Sequence, residues 1–193
     1  MGHVDKGLVL LCGQALVRHA AGRLQAQVSE LMVNANQNLD HYATLGYPLI
    51  SDHIPGFAGP LAGLHAALSA ARHDWVVTVP CDSPFLPLDL VARLHAAIQR
   101  SHARIAMART GDQVHPVFCL CHRDRLGSLT EYLASGERKF QRWSSAQQAA
   151  EVSFDDQLDA FENLNTREDI ARFEGILSTS PSLSEDASNP LQH

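Results

Sequence analysis

Long basic runs are missing from this chain. Its 193 residues carry 15 Lys and Arg against 21 Asp and Glu, a formal charge of −6 with the histidines neutral. A nucleic-acid polymer needs a basic face, so none is expected as a partner. A small anionic ligand is not excluded, because it needs only a local positive pocket. No apolar run is long enough to cross a bilayer, and the first residues do not read as a signal peptide. No membrane association is expected, and the expected location is cytoplasmic. Cysteine is scarce: only Cys12, Cys81, Cys119 and Cys121 occur. Cys119 and Cys121 are close, but C-x-C is not a zinc spacing. They are read as small buried hydrophobes in a reducing compartment. G-x-S-x-G, H-E-x-x-H and C-x-x-C are absent. The sequence signs of a nucleophile elbow, a zinc hydrolase and a dithiol redox site are therefore lacking.

What is present suits one folded domain. Apolar residues make up 45% and charged residues 19%, enough to build a core at this length. After a turn at Cys12-Gly13, Leu16, Ala20, Leu24 and Val28 give helical spacing. Short strands are expected in ELMVNAN, ending at Asn34 or Asn36, and from Pro48 to Ser51. Pro55 and Gly56 mark a loop. GPLAGLHAALSAARHD reads as a helix with proline at its start. WVVTVP is a nearly unbroken apolar run, as in a central strand covered on both faces. A helix from Pro87, strands in ARIAMART and VHPVFCLCHRD, and a helix stopped near Gly136 follow. Residues 139–156 form a mixed segment with an edge strand, and a last helix begins after Thr166, its expected cap. This order predicts a three-layer α/β/α domain with a mostly parallel, Rossmann-like sheet over 1–177. The polar residues 178–193 are expected to be a disordered tail.

Several residues could carry chemistry. Asp82 closes the WVVTVP run, and ligands of open α/β sheets bind beyond the carboxyl ends of strands. A carboxylate there can hold Mg2+ against phosphates, or can merely form an Asx-turn in a proline-rich loop. Lys6 lies in a short Asp-Lys-Gly loop, where it can meet phosphate oxygens or simply be solvated. Asn34 and Asn36 could read a base edge or shape a turn. Asp52, at another strand end, could accept from a guanine or a ribose, or be an ordinary loop acid. The Ala58–Leu64 stretch offers backbone N–H groups at a helix start, but without the P-loop pattern. His115 could be a ligand contact or a satisfied surface histidine. Arg138 and Lys139 could touch an anionic substrate or complement a helix C-terminus. Asn163 and Asn165 precede the final helix.

Taken together and in order, MGHVDKGL, VNAN, ISD, GPLAGL, PCDSPFLP, HP, GERK and NLNTREDI resemble the molybdenum cofactor guanylyltransferases. These bacterial enzymes join GMP from GTP to molybdopterin. The resemblance spans Met1 to Glu174. It implies a nucleotidyltransferase-type fold and a Mg2+-dependent guanylyl transfer. It makes Lys6 and Asp82 catalytic, Lys6, Asn34, Asp52 and Asp82 contacts to GTP, and Asp82 the metal ligand. His115, Arg138, Lys139 and Asn165 would lie toward the cofactor side. GTP and molybdopterin are the implied partners, together with molybdoenzyme maturation proteins. Family members open with a strand and a glycine-rich loop ending in Arg-Met-Gly. Here only Met1-Gly2 matches that loop, and His3 stands where the family has glycine. The expectation is therefore a sheet lacking its first strand, about twenty residues with its loop, and weak or absent activity for this polypeptide. Two other readings stand beside guanylyl transfer. One is a cytidylyl- or other nucleotidyltransferase; the other is a non-catalytic nucleotide- or cofactor-binding protein.

Overall fold

The computed structural model describes residues 5–54 and 59–179. Met1-Gly2, His3, Pro55-Gly56 and residues 180–193 of the expected tail lie outside the described residues. The described chain opens with a 3-10 turn, Lys6–Leu8, then a small hairpin of β1 (Leu10–Leu11) and β2 (Gln14–Ala15). Cys12 and Gly13 both take positive φ, 49° and 76°, as a two-residue hairpin turn of this hand requires. Helix α1 (Leu16–Gln25) buries Leu16, Ala20 and Leu24, the predicted apolar stripe. Val28, read as part of that stripe, falls beyond the helix end, where the backbone has left the helical path.

Strand β3 (Val33–Asn34) is followed by a short helix, α2 (Leu39–Ala43), and by β4 (Leu49–Ile50), parallel to β3. Helix α3 (Pro60–Ala70) starts on Pro60, whose missing N–H falls where no helical partner exists. Next come β5 (Trp75–Thr78), α4 (Leu90–Ser101), β6 (Ile105–Thr110) and β7 (Gln113–His122). Helix α5 (Leu126–Ala134) ends just before Gly136, which takes a positive φ of 87°. Helix α6 (Phe140–Ala146), β8 (Ala150–Ser153) and α7 (Arg167–Thr179) complete the chain. Helix α7 includes the first two residues of the stretch read from sequence as tail.

The main sheet runs in the order β5-β7-β6-β8, with β7 antiparallel to both neighbours and β8 parallel to β6. Strand alternation sends its side chains into two apolar layers. Ile105, Met107, Cys119 and Cys121 pack with Leu64 and Leu68 of α3, Leu129 and Leu133 of α5, and Trp143 of α6. Ala106, Ala108, Phe118 and Leu120 pack with Ala20 of α1 and Leu90, Leu94 and Ile98 of α4. This is the three-layer architecture expected, and Cys119 and Cys121 are fully buried in one layer of it. Strand β8 lies at the sheet edge, also as expected.

The strand read as central is placed differently. β5 ends its four-stranded sheet, and β3–β4 forms a separate pair. Between β3 and β5 the sheet is broken, and an apolar slot of about 840 Å³ opens there. The sequence reading expected a break in the sheet, and this is where it falls. Trp75 and Val77 are only half-buried as a result. No helix among the described residues is long and apolar enough to cross a membrane.

Candidate active site

The local fold around Lys6 is set by Asp5. Its carboxylate accepts from Tyr42 Oη at 2.6 Å, Asn38 Nδ2 at 3.1 Å and the Gly7 amide at 3.3 Å. Burial, and then the bond to Asp5, push the Tyr42 hydroxyl well above its ordinary pKa, so it stays a proton donor. Gly7 must be small here. A Cβ would lie 2.5 Å from Tyr42 Oη and 3.2 Å from Cys81 Sγ. This anchored turn aims Lys6 across the molecule. Its Nζ lies 3.4 Å from Asp82 Oδ2 and donates to Asn165 Oδ1 at 2.5 Å.

Asp82 sits beyond the end of β5 and is nearly buried, at 7% exposure. Its backbone carbonyl accepts from the Leu164 amide at 2.9 Å, and Ser83 Oγ donates to Asn163 Oδ1 at 2.6 Å. These two bonds fasten the end of β5 to the segment before α7. That segment is itself capped. Thr166 Oγ1 accepts from the Asp169 amide at 3.0 Å, while Asp169 accepts from the Thr166 and Asn165 amides. Those amide bonds hold the Asp169 carboxyl below its usual pKa. The beginning, middle and end of the sequence thus converge on one cation, one carboxylate and one amide. Cys81 beside them is no nucleophile at neutral pH, because burial pushes its thiol up to about 11.

A second cluster lies at the ends of β3 and β4. Asn34 Nδ2 and Asn36 Nδ2 each donate to the Asp52 carboxylate at 2.9 Å, one to each oxygen. Asn36 Oδ1 in turn accepts from the Asp52 amide at 2.9 Å. Two amides therefore fix the plane of one half-buried carboxylate, whose remaining lone pairs can accept from a ligand. Gly63, in the first turns of α3, backs this arrangement. A Cβ there would lie 2.9 Å from Asn34 Nδ2. Gly63→Ala is therefore expected to push Asn34 off Asp52 and, if these two contact GTP as the sequence resemblance implies, to weaken nucleotide binding. A tenfold loss is expected, about 1.4 kcal/mol, with the melting temperature little changed. Nucleotide titration calorimetry beside a thermal melt checks it.

His115 and Asn165 both line a cavity of about 470 Å³, with Pro80, Phe118, Phe161 and Asn163. The His115 ring stacks on Phe161, with centroids 4.7 Å apart, and its Nε2 is 2.7 Å from Thr110 Oγ1. Burial lowers its pKa, favouring the neutral ring. Arg138 and Lys139 line neither this cavity nor the slot. Arg138 donates to the carbonyls of Leu133 at 3.0 Å and Glu137 at 2.5 Å, at the C-terminal end of α5. Lys139 is the residue before α6, and its carbonyl accepts from Tyr132 Oη.

Among the described residues no group of three or more His, Cys, Asp or Glu is placed to hold a metal ion. Asp82 is a single carboxylate. Asn36, weighed in the sequence as either a base reader or a turn former, is placed as a second amide on Asp52. The N-x-N spacing puts two side chains on one side of an extended segment, which is the signal that could have singled it out.

The family profile described as "MobA-like NTP transferase domain" matches residues 1–152. A molybdenum cofactor guanylyltransferase of Cupriavidus taiwanensis is 47% identical over 179 residues, 90% of this chain and 89% of the relative. One from Pasteurella multocida is 44% identical over 170 residues, 88% of this chain and 90% of the relative. Among solved structures, molybdopterin-guanine dinucleotide biosynthesis protein A from Archaeoglobus fulgidus superposes with a TM-score of 0.73. It is 22% identical, covering 92% of this chain and 93% of that one. The 2-C-methyl-D-erythritol 4-phosphate cytidylyltransferase of Thermus thermophilus gives 0.66 at 18% identity, over 90% and 94%. The Rossmann-like nucleotidyltransferase fold is common to them and to this chain.

Proposed function

The chain belongs to the MobA-like NTP transferase family and, within it, to the molybdenum cofactor guanylyltransferases, and we propose that it transfers GMP from GTP to molybdopterin in the cytoplasm. An oxygen of the acceptor's terminal phosphate forms a bond to the α-phosphorus of GTP. The bond from that phosphorus to the β-phosphate bridge breaks, and pyrophosphate leaves. The attacking phosphate is already anionic at neutral pH, so no protein base is required. The observation that carries this reading is the meeting of Lys6, Asp82 and Asn165 from three distant segments.

Lys6 supplies positive charge to the phosphates, on a stem held by the Asp5 anchor. Among the described residues, Asp82 is the carboxylate that would hold Mg2+, beside Lys6 and beyond the end of β5. A single carboxylate fits that ion, which takes much of its coordination from substrate phosphates and water. When bound, Mg2+ would neutralise charge developing on the transferred phosphoryl group. The Asn34–Asp52–Asn36 cluster reads the base: guanine presents N–H donors that the fixed carboxylate can accept. Asn165 and His115 face the acceptor side, where the neutral His115 ring on Phe161 offers a flat surface. Arg138 and Lys139, which line neither cavity, would be the further cations that the family resemblance assigns to the acceptor.

The test of base choice is competition between GTP and CTP with the intact chain and Mg2+. GTP is expected to bind in preference. Asp52→Ala is expected to lower GTP affinity by about 2 kcal/mol, roughly thirtyfold, because it removes charge-assisted hydrogen bonds. CTP affinity should change far less. Preference for CTP in the parent chain would remove the guanine assignment.

A further inference from the structure

The base cluster and the Lys6 turn come from different segments, and one carboxylate joins them. Asp5 belongs to the Lys6 turn, yet both of its oxygens are engaged by the segment that follows β3. Oδ1 accepts from Tyr42 Oη at 2.6 Å, and Oδ2 accepts from Asn38 Nδ2 at 3.1 Å. That segment begins at the base cluster. Asn36 closes a ring of two bonds with Asp52: its Nδ2 donates to the carboxylate and its Oδ1 accepts from the amide, both at 2.9 Å. Only Gln37 separates Asn36 from Asn38. A continuous path therefore runs from Asp52 through Asn36, Asn38 and Asp5 to the turn that carries Lys6.

The side chain of Asn38 is diverted from the usual role of its position. Asn38 stands at the N-cap of α2 in the left-handed region, with φ 52° and ψ 32°. An asparagine there ordinarily caps the first turn with its side chain. Here the side chain makes no capping bond and reaches Asp5, while the Asn38 carbonyl accepts from the His41 and Tyr42 amides. Tyr42 is 4% exposed, and its hydroxyl takes its partner from the Lys6 turn, not from its own helix. Neither residue lines the cavity of His115 or the slot. A base donating to Asp52 would hold Asn36 and, through it, residues 36–42. The Lys6 turn leans on those residues, so phosphates arriving second meet a turn already ordered, and less freedom is lost on binding. We infer that Asn38 and Tyr42 are positioning residues that couple base recognition at Asp52, through Asp5, to the placement of Lys6. The coupling is reciprocal: phosphates at Lys6 tighten the base site by the same factor. The inference rests on the base-reading role proposed above for Asp52.

Guanosine and inorganic triphosphate address the two clusters separately, because one carries only base and ribose and the other only phosphates. Titration calorimetry on the full chain with Mg2+ measures triphosphate affinity with and without saturating guanosine. Guanosine is expected to tighten triphosphate about fivefold in the parent, at the lower end of coupling between two sites. Cytidine at the same concentration should not. Tyr42→Phe removes one hydroxyl, and Asn38→Gly removes one amide while keeping the left-handed backbone accessible. In each variant the factor should fall below about twofold, while guanosine alone binds as in the parent. A residue serving only stability would lower the melting temperature and leave the factor unchanged. Two variants are used so that one folded protein suffices. A parent that binds both compounds independently overturns the inference and leaves the base reading standing. So does a fivefold factor retained in either folded variant. A parent that binds no guanosine removes the base reading of Asp52 itself, and the inference falls with it.

Discussion

Asp82→Ala is expected to lower Mg2+-dependent guanylyl transfer by at least about a thousandfold, at the upper end of what one electrostatic group in a transfer site supplies. The size follows from the lack of a substitute. No group of three or more His, Cys, Asp or Glu among the described residues is placed to hold a metal ion, so the ion would not be held by a shared set of acids that could absorb the loss. Stability should change little, for reasons visible in the bonding. It is the backbone carbonyl of Asp82, not its side chain, that holds the Leu164 amide. The neighbouring Ser83–Asn163 bond at 2.6 Å is also untouched. The side chain's ion pair is with Lys6, whose side chain is 52% exposed and can return to water. Loss of such a pair costs at most about 1 kcal/mol. Transfer of labelled GMP, followed against Mg2+ concentration beside a thermal melt, checks both halves. Full turnover in a folded variant would remove Asp82 from the reaction.

Much of the fold could be read from periodicity, because periodicity records burial. Leu16, Ala20 and Leu24 lie on one helical face and are buried. Cys119 and Cys121, two residues apart on a strand, enter the same layer. Helix α6 was not foreseen, since seven residues with Phe140 and Trp143 as its apolar pair give too short a period to recognise. Helix α2 has only five residues. The apolar run at Trp75 predicted a strand with cover, and could not say that one of its edges would face an empty slot. Strand order is a long-range property, and local composition does not encode it.

The candidate site was legible in a different way. Residue type at a strand end pointed to Asp82 and Asp52, and the ordered motifs added Lys6, Asn34 and Asn165. Which of these would touch was not readable. Lys6 and Asn165 are 159 residues apart, and only the capped segment before α7 brings them together. The cations after α5 show the reverse. Two readings were open for Arg138, and its bond to the Leu133 carbonyl places it at a helix C-terminus. A lone basic residue near a helix end satisfies both descriptions equally well until its partner is known.

Lys6→Met should reduce kcat/KM for GTP by about a hundredfold to a thousandfold, with most of the loss in kcat. Methionine keeps much of the stem and removes only the charge. The Asp5 anchor does not depend on the side chain, since Tyr42, Asn38 and the Gly7 amide all bond to Asp5. The turn should therefore hold its shape, and the melting temperature should stay close to that of the parent. Two consequences separate a transfer role from a structural one. First, Lys6→Arg should recover only part of the rate. Its planar guanidinium carries the charge but cannot take the ammonium's place between Asp82 Oδ2 at 3.4 Å and Asn165 Oδ1 at 2.5 Å. Second, the rate lost in Lys6→Met should not return at high Mg2+, because in a transfer role the lysine would act on the phosphates alongside the ion and not in its place. A lysine that only balanced Asp82 in the resting protein would behave otherwise. Its removal would leave Asp82 free for the ion and would tighten Mg2+ binding without lowering kcat. Steady-state rates for parent, Lys6→Met and Lys6→Arg across a Mg2+ series distinguish the two, and unchanged kcat in Lys6→Met would rule out a role for Lys6 in the transfer step.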